Sequence, residues 1–284
     1  MPVQAPSRLD DALAALADDP SAHVLAGGTD LMVEVNFGDR RPGSVVAIDR
    51  VAELRALDVD RSALRIGAGV TYTRMLDAPV STLAPALAEA ARTVGSPQIR
   101  NAGTLGGNLG TCSPAGDTLP VLSALDATVE LASSSGRRTV SVHDFMVGVK
   151  RTALGPGELI VAVTVPVIDG WQGYAKVGTR NAMVISVVGA CLAVDRPGRN
   201  VRLALGAVGP TMVRARAAEA WVADRLNWDG VALAPADLAA LASEFGDRAA
   251  AEARPIDDHR STAAYRRYAA GVLARRLLAR ALAS

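Results

Sequence analysis

Two hydrophobic periods alternate along the first half of the chain. Leu9, Leu13 and Leu16 recur at helical spacing, which predicts a helix from Leu9 to Ala17 with Ser7 as its N-cap. The segment HVLAGG then reads as a short buried strand ending in glycines, and TDLMVEVNFG as a helix. SVVAID reads as a second strand, and Val51 to Leu54 as a helical turn. This order predicts a small parallel unit. LRIGAGVT, at 64–71, reads as a strand interrupted by glycines. STLAPALAEAARTVG reads as one helix, capped by Ser81 or Thr82 and ending near Gly95. TLPVLSALDATVELAS predicts a helix followed by a strand, and RRTVSVHDF and ELIVAVTVP are β-rich segments of the antiparallel kind.

A boundary is expected between Pro166 and Gly173, dividing the chain into residues 1–170 (subdomains 1–57 and 58–170) and 171–284. Beyond it, GYAKVGT, SVVGACLAVD and NVRLALGAVG read as three strands, and RPGRN has the turn chemistry of a hairpin between the last two. After Pro210 the pattern is helical: MVRARAAEAWVADRL, PADLAALASEFG and STAAYRRYAAGVLARRLLARAL, the last with Tyr265, Tyr268, Val272 and Leu273 near one face. The fold class expected is α+β. A small parallel unit plus an antiparallel sheet precedes a three-stranded antiparallel sheet with a helix bundle.

Composition narrows the function. The chain has 284 residues, and 30 Lys+Arg against 29 Asp+Glu give a formal net charge of +1, which argues against a nucleic-acid or membrane-surface protein. Cys112 and Cys191 are the only cysteines, too few for a disulfide framework or an ordinary four-thiolate iron–sulfur cluster. His23, His143 and His259 are scattered without metal-ligand spacing. Asp10 and Asp11 interrupt the start where an export signal needs an apolar run. The longest apolar stretch, Ala182 to Val194, is too short to span a bilayer as a helix. A soluble, cytoplasmic protein is expected.

The candidate chemistry lies in glycines. Residues 99–117 read IRNAGTLGGNLGTCSPAGD, with Gly103, Gly106, Gly107 and Gly110 accompanied by the polar Thr104, Asn108 and Thr111. A second stretch, VLAGGTDL from Val24 to Leu31, also combines small residues with a threonine. Exposed backbone N–H groups in such segments make concave anion sites, and two of them suit the two phosphates of a dinucleotide. The G-x-G-x-x-G fingerprint is absent because Leu105 occupies a position where it needs glycine, and no Gly-Lys-Ser/Thr loop occurs. By themselves these residues indicate a phosphate-like ligand.

Ala26-Gly27-Gly28-Thr29-Asp30, then Ile99-Arg100-Asn101 leading to Gly103-Thr104 and Gly106-Gly107-Asn108, then Ser113-Pro114 with Asp117, resemble the FAD-binding (medium) subunit of the molybdenum hydroxylases, the xanthine dehydrogenase and carbon monoxide dehydrogenase family. The resemblance continues through Tyr174-Ala175-Lys176 and Arg180, LALGAVGPT at 203–211, and HRSTAAYRRYAAGVLARR near the C-terminus. It implies an FAD-binding domain of the vanillyl-alcohol-oxidase/PCMH type over 1–170 and a domain of the CO dehydrogenase flavoprotein type over 171–284, with FAD extended between them. It implies that Ala26, Gly27, Gly28, Thr29 and Asp30, with Thr104, Leu105, Gly106, Gly107 and Asn108, surround the pyrophosphate largely through backbone amides. The Thr104 and Asn108 side chains add hydrogen bonds. Asp117 is implied on the adenosine side, Lys176 close to the flavin, and Ile160 and Ile185 near the isoalloxazine. Val24, Leu25, Leu31 and Val94 are further lining positions.

The same resemblance implies no proton-transferring residue and no metal on this chain. It implies a small partner with two [2Fe–2S] clusters and a large molybdopterin subunit, in a dimer of heterotrimers. Electrons from the clusters would reach FAD and then an external acceptor. Xanthine dehydrogenases carry acidic residues just before the position of Ile185, whereas this chain has Asn181-Ala182-Met183-Val184, so NAD is not implied as the acceptor. Two alternatives stay open: a self-sufficient flavin oxidoreductase of the same fold, and an assembly subunit that has lost FAD. The substrate of the complex (purine, carbon monoxide, N-heterocycle or aldehyde) is not legible in this chain.

Overall fold

The structure, a computed structural model, describes residues 2–60, 62–228 and 234–283. At the N-terminal end, strands Val3–Gln4, Val45–Ala47 and His23–Leu25 form a parallel sheet in that spatial order. The two-residue first strand is too short to show any alternation, and sequence reading misses it. Helix Leu9–Asp18 buries Leu9, Ala12, Leu13, Ala15 and Leu16 against Val46, Ile48 and Leu54, and also against Leu159 and Val161 of the next sheet. Ser7 does not cap this helix. Arg8 occupies the cap position without a side-chain bond, and the Leu9 N–H donates instead to Glu53 Oε1 at 3.2 Å. A distant carboxylate has taken over a role that local sequence assigned to a hydroxyl.

The second sheet is antiparallel throughout, in the order Leu57–Val59, Ala63–Gly67, Leu159–Pro166, Thr128–Ser133, Gly136–Ser141. Its central strand, Leu159–Pro166, is buried at nearly every position, so it reads as a continuous apolar run rather than an alternating one. Leu105, Leu109 and Leu122 from the adjacent helices complete the core with Leu64, Ile66, Leu131 and Val163. The helix expected over STLAPALAEAARTVG is two helices, Val80–Leu83 and Pro85–Thr93, and neither Ser81 nor Thr82 caps them. Pro85 supplies no N–H and disfavours helical geometry at Ala84, which breaks the run there.

The C-terminal sheet runs Gly170–Val177, Val188–Asp195, Asn200–Gly206, Val213–Arg214, all antiparallel, with the expected hairpin closing at the Asp195–Asn200 pair. The fourth, two-residue edge strand corrects the expectation of three. Helices Arg216–Ala223, Pro235–Glu252 and Ala263–Leu282 bury Phe245, Leu273, Leu277 and Leu278 against Leu192, Leu203 and Leu205. Residues from the opposite face, Tyr174, Cys191, Ala193 and Ala204, join the core of the five-stranded sheet, so the two halves share packing. Tyr265 and Tyr268 do not face this core. They are 46% and 68% exposed, while the buried stripe runs through Arg266, Ala269, Ala270, Leu273, Ala274, Leu277, Leu278 and Ala281. Arg266 takes the inward position because its guanidinium donates to the Ala207 carbonyl at 2.9 Å and to Asp258 at 2.6 Å. Among the described residues, no helix is long and apolar enough to cross a membrane.

Candidate functional site

The AGG segment leaves strand His23–Leu25 and enters helix Leu31–Phe37. The Leu25 carbonyl accepts from the Ile48 N–H at 2.8 Å, which pins the strand end. From Ala26 to Leu31, no amide N–H donates a hydrogen bond to another described residue. Gly28 takes φ +70, a conformation that favours glycine. A run of unspent amides is the feature an anion site requires. Asp30 accepts from Thr111 Oγ1 at 3.1 Å, tying the segment to the second glycine stretch.

That second stretch is not the open loop its glycines suggest. It folds into helices Pro97–Ala102 and Leu105–Thr111, and Thr104 caps the latter by accepting from the Gly107 N–H at 3.0 Å. The Leu105 N–H donates to Val70 O at 3.0 Å, Gly106 N–H to Ala68 O at 2.8 Å, and Asn108 N–H to Thr104 O at 3.0 Å. Of the amides expected to grip phosphate from this side, those of Leu105, Gly106, Gly107 and Asn108 are therefore already bonded within the protein. Two of its glycines serve packing: a Cβ at Gly103 would stand 2.6 Å from Tyr72, and one at Gly106 would stand 2.6 Å from the Ala68 Cβ. Gly107 differs, since its Cβ would meet only Thr104 Oγ1, at 3.0 Å. The side chain of Asn108 turns to Thr118, whose hydroxyl it accepts.

The two stretches meet at Gly27. A Cβ there would lie 1.7 Å from the carbonyl oxygen of Ala102, so only glycine allows this approach. Between them opens a cleft of about 460 Å³, lined by Leu25, Ala26, Gly27, Gly28 and Met32 on the first stretch and by Asn101, Ala102 and Thr104 on the second. Ile48, Asp49, Arg55, Gly69 and Thr71 complete the lining. Arg55 and Asp49 escape a sequence reading because they belong to no glycine motif. Thr104 keeps its hydroxyl hydrogen available, as it acts only as an acceptor toward Gly107.

Asp117 and Lys176 were expected near different parts of a bound dinucleotide, and the structure joins them. Lys176 Nζ lies 2.8 Å from Asp117 Oδ2 and also donates to the carbonyls of Thr93 at 3.0 Å and Val184 at 3.1 Å, so all three ammonium hydrogens are used. Asp117 accepts further from Tyr174 OH at 2.8 Å and Ser186 Oγ at 2.5 Å. Burial, and then the adjacent Asp117 charge, push the Tyr174 hydroxyl well above its ordinary pKa. This cluster ties the segment before helix Leu119–Ala124 to the first C-terminal strand. Leu105 and Ile160 are buried core residues, at 0% and 6% exposure, and present little side-chain surface to any ligand. Val94 is half-buried against the same core, Val24 is 38% exposed and Ile185 is 56% exposed. Among the described residues, no cluster of His, Cys, Asp and Glu could hold a metal ion.

Residues 1–168 match the family model of the FAD binding domain in molybdopterin dehydrogenase. The chain belongs to this family. The match continues in residues 173–281, which fit the CO dehydrogenase flavoprotein C-terminal domain. This FAD-binding subunit is 39% identical to the nicotinate dehydrogenase FAD-subunit of Eubacterium barkeri over 67% of each chain. It is 32% identical to the glyceraldehyde dehydrogenase medium chain of Sulfolobus acidocaldarius, over 93% of this chain and 92% of the relative. The fold is similar to quinoline 2-oxidoreductase from Pseudomonas putida 86, with a TM-score of 0.90 and 28% identity, over 100% of this chain and 97% of that one. The donor set fits the cofactor: the unspent amides from Ala26 onward and the Thr104 hydroxyl supply hydrogen bonds to a diphosphate, and Arg55 supplies positive charge.

Proposed function

We propose that this oxidoreductase flavoprotein subunit carries FAD as the electron exit of a heteromeric molybdenum hydroxylase. The partners are a small subunit with two [2Fe–2S] clusters and a large molybdopterin subunit, assembled as a dimer of heterotrimers in the cytoplasm. Two cysteines, both buried, leave this chain without four thiolates for an ordinary cluster, which supports placing the clusters on a partner. Bound FAD supplies two-electron redox chemistry between those clusters and an external acceptor. The residues of this chain bind and orient the cofactor and act on no proton of the substrate.

The run of unspent amides from Ala26 to Leu31, whose first three residues line the cleft, carries this reading. Ala26, Gly27, Gly28, Thr29 and Asp30 hold the diphosphate through their N–H groups, and Thr104 adds its hydroxyl. Asn108, Asp117 and Lys176 support the site through the helix and strand they lock together. The cleft is lined wholly from within residues 1–170, and residues 171–284 flank the flavin end of the extended cofactor. The relatives are named for nicotinate, glyceraldehyde and quinoline, three unlike substrates, which supports a substrate pocket on the large subunit rather than here. Flavin absorbance of the complex purified through this chain tests the reading. A complex that contains no flavin and takes up none when FAD is added would refute it.

A further inference from the structure

A dinucleotide diphosphate brings negative charge into a cleft where the glycine segments offer only neutral donors. Of the residues lining the cleft, Asp49 and Arg55 are the charged ones, and Arg55 is the cation. One Arg55 nitrogen donates to the backbone carbonyl of Asp49. Among the described residues no carboxylate forms an ion pair with Arg55, so its charge and its remaining donors are unspent.

The backbone around Arg55 is fixed. Leu54, its neighbour, is fully buried. The Leu54 carbonyl accepts from the Gly69 N–H at 2.7 Å, and the Ala56 carbonyl from the Gly67 N–H at 2.8 Å. A Cβ at Gly67 would lie 2.3 Å from the Leu54 carbonyl oxygen, so the close approach that clamps this turn depends on glycine. Both residues flanking Arg55 are thus hydrogen-bonded to the strand segment that itself lines the cleft through Gly69. An arginine held this way loses little backbone freedom on binding an anion.

We propose that Arg55 is the charged anchor of the FAD diphosphate, completing electrostatically what the amides from Ala26 to Leu31 begin. This rests on the reading that FAD binds in the cleft. The guanidinium presents a planar fork of donors matched to phosphate oxygens. It also explains how the ligand's charge is compensated when the one cation of the glycine stretches, Arg100, turns instead to the carbonyls of Val94 and Gly95.

The test is FAD titration of the deflavinated full-length chain by fluorescence, with ADP and adenosine as competitors, at low and at physiological salt. Arg55→Met is expected to weaken FAD and ADP about tenfold to hundredfold, the range for a lost charge-assisted hydrogen bond. Adenosine, which lacks phosphate, is expected to bind unchanged. Arg55→Lys keeps the charge without the fork and falls between. Salt dependence is expected to be shallower in Arg55→Met, because one screened charge pair is gone. Arg55→Met binding FAD as wild type does at low salt would overturn the proposal, as would equal weakening of ADP and adenosine. A wild-type chain that binds no FAD would overturn the proposed function along with it, which separates the two failures.

Discussion

The Lys176 ammonium and the Asp117 carboxylate lie 2.8 Å apart, with their side chains only 10% and 9% exposed. Removing one member of such a pair leaves the other buried and uncompensated, which typically costs about 3–5 kcal/mol. Lys176→Met is therefore expected to lower unfolding stability by that order in urea. Lys176→Met combined with Asp117→Asn should recover part of the loss, because no lone charge remains. A single mutant as stable as wild type would show that the pair does not brace the two halves.

The glycines of helix Leu105–Thr111 should divide by function. Gly106→Ala drives a Cβ to 2.6 Å from Ala68 and is expected to destabilise by about 1–3 kcal/mol, as overpacking does. Gly107→Val meets only the Thr104 hydroxyl and should keep the fold, while its branches enter the ligand side and abolish FAD uptake. Thermal melting and equilibrium dialysis, run side by side, check this contrast. Wild-type FAD affinity in folded Gly107→Val would remove this helix from the cofactor's surroundings.

Gly27→Ala places a methyl group 1.7 Å from the Ala102 carbonyl oxygen, where no atom fits. The AGG segment must then move away from Ala102, taking its unspent amides with it. FAD affinity is expected to fall at least about tenfold, the cost of roughly one charge-assisted hydrogen bond. Gly43→Ala, at a site open on all sides, is the matched control and should bind normally.

Asp126 is held below its ordinary carboxylate pKa: burial alone would raise it, but bonding from His143 and the charges of Arg214 and Arg202 outweigh that. The contacts are 2.9 Å to His143 and 2.6 Å to Arg214, so the carboxylate bridges the N-terminal half to the C-terminal sheet. A carboxylate depressed in the folded state stabilises above its unfolded pKa and loses that contribution as pH falls through the folded value. Asp126→Asn should therefore be less stable than wild type at neutral pH, with the gap closing in acid. Chemical denaturation at neutral pH and at about pH 2–3 measures both points. A gap that persists unchanged in acid would mean the effect is not electrostatic.

Hydrophobic period, glycine punctuation and hairpin turn chemistry placed the strands of the three larger sheets except Val3–Gln4, Leu57–Val59 and Val213–Arg214, and missed the two-stranded sheet of Met146–Gly148 and Arg151–Thr152. All of these are two or three residues long, and pairing with a neighbour rather than any pattern of their own makes them strands. The helix ends were misread at Ser7 and at Ser81 or Thr82, where Glu53 and Pro85 decided the outcome. The face grouping Tyr265, Tyr268, Val272 and Leu273 is not the buried one: of the four only Leu273 is buried, and the inward stripe includes Arg266, which bonds to Ala207 and Asp258.

The sequence by itself determined the elements, the family and the two segments that meet at the site, because these depend on local spacing and on residue types that few other contexts require. Only the tertiary structure decided which glycine does what. Gly27, Gly103 and Gly106 are small because Ala102, Tyr72 and Ala68 press on them from distant parts of the chain, while Gly107 meets none of these. It also decided which amides remain free, since the carbonyls of Val70 and Ala68 take up those of Leu105 and Gly106 in the second stretch and nothing described takes up those of the first. The same is true of Lys176, whose charge faces Asp117 across 59 positions of sequence. A hydrogen bond or a steric contact is set by proximity in space, and residues far apart in sequence become neighbours only when the chain folds.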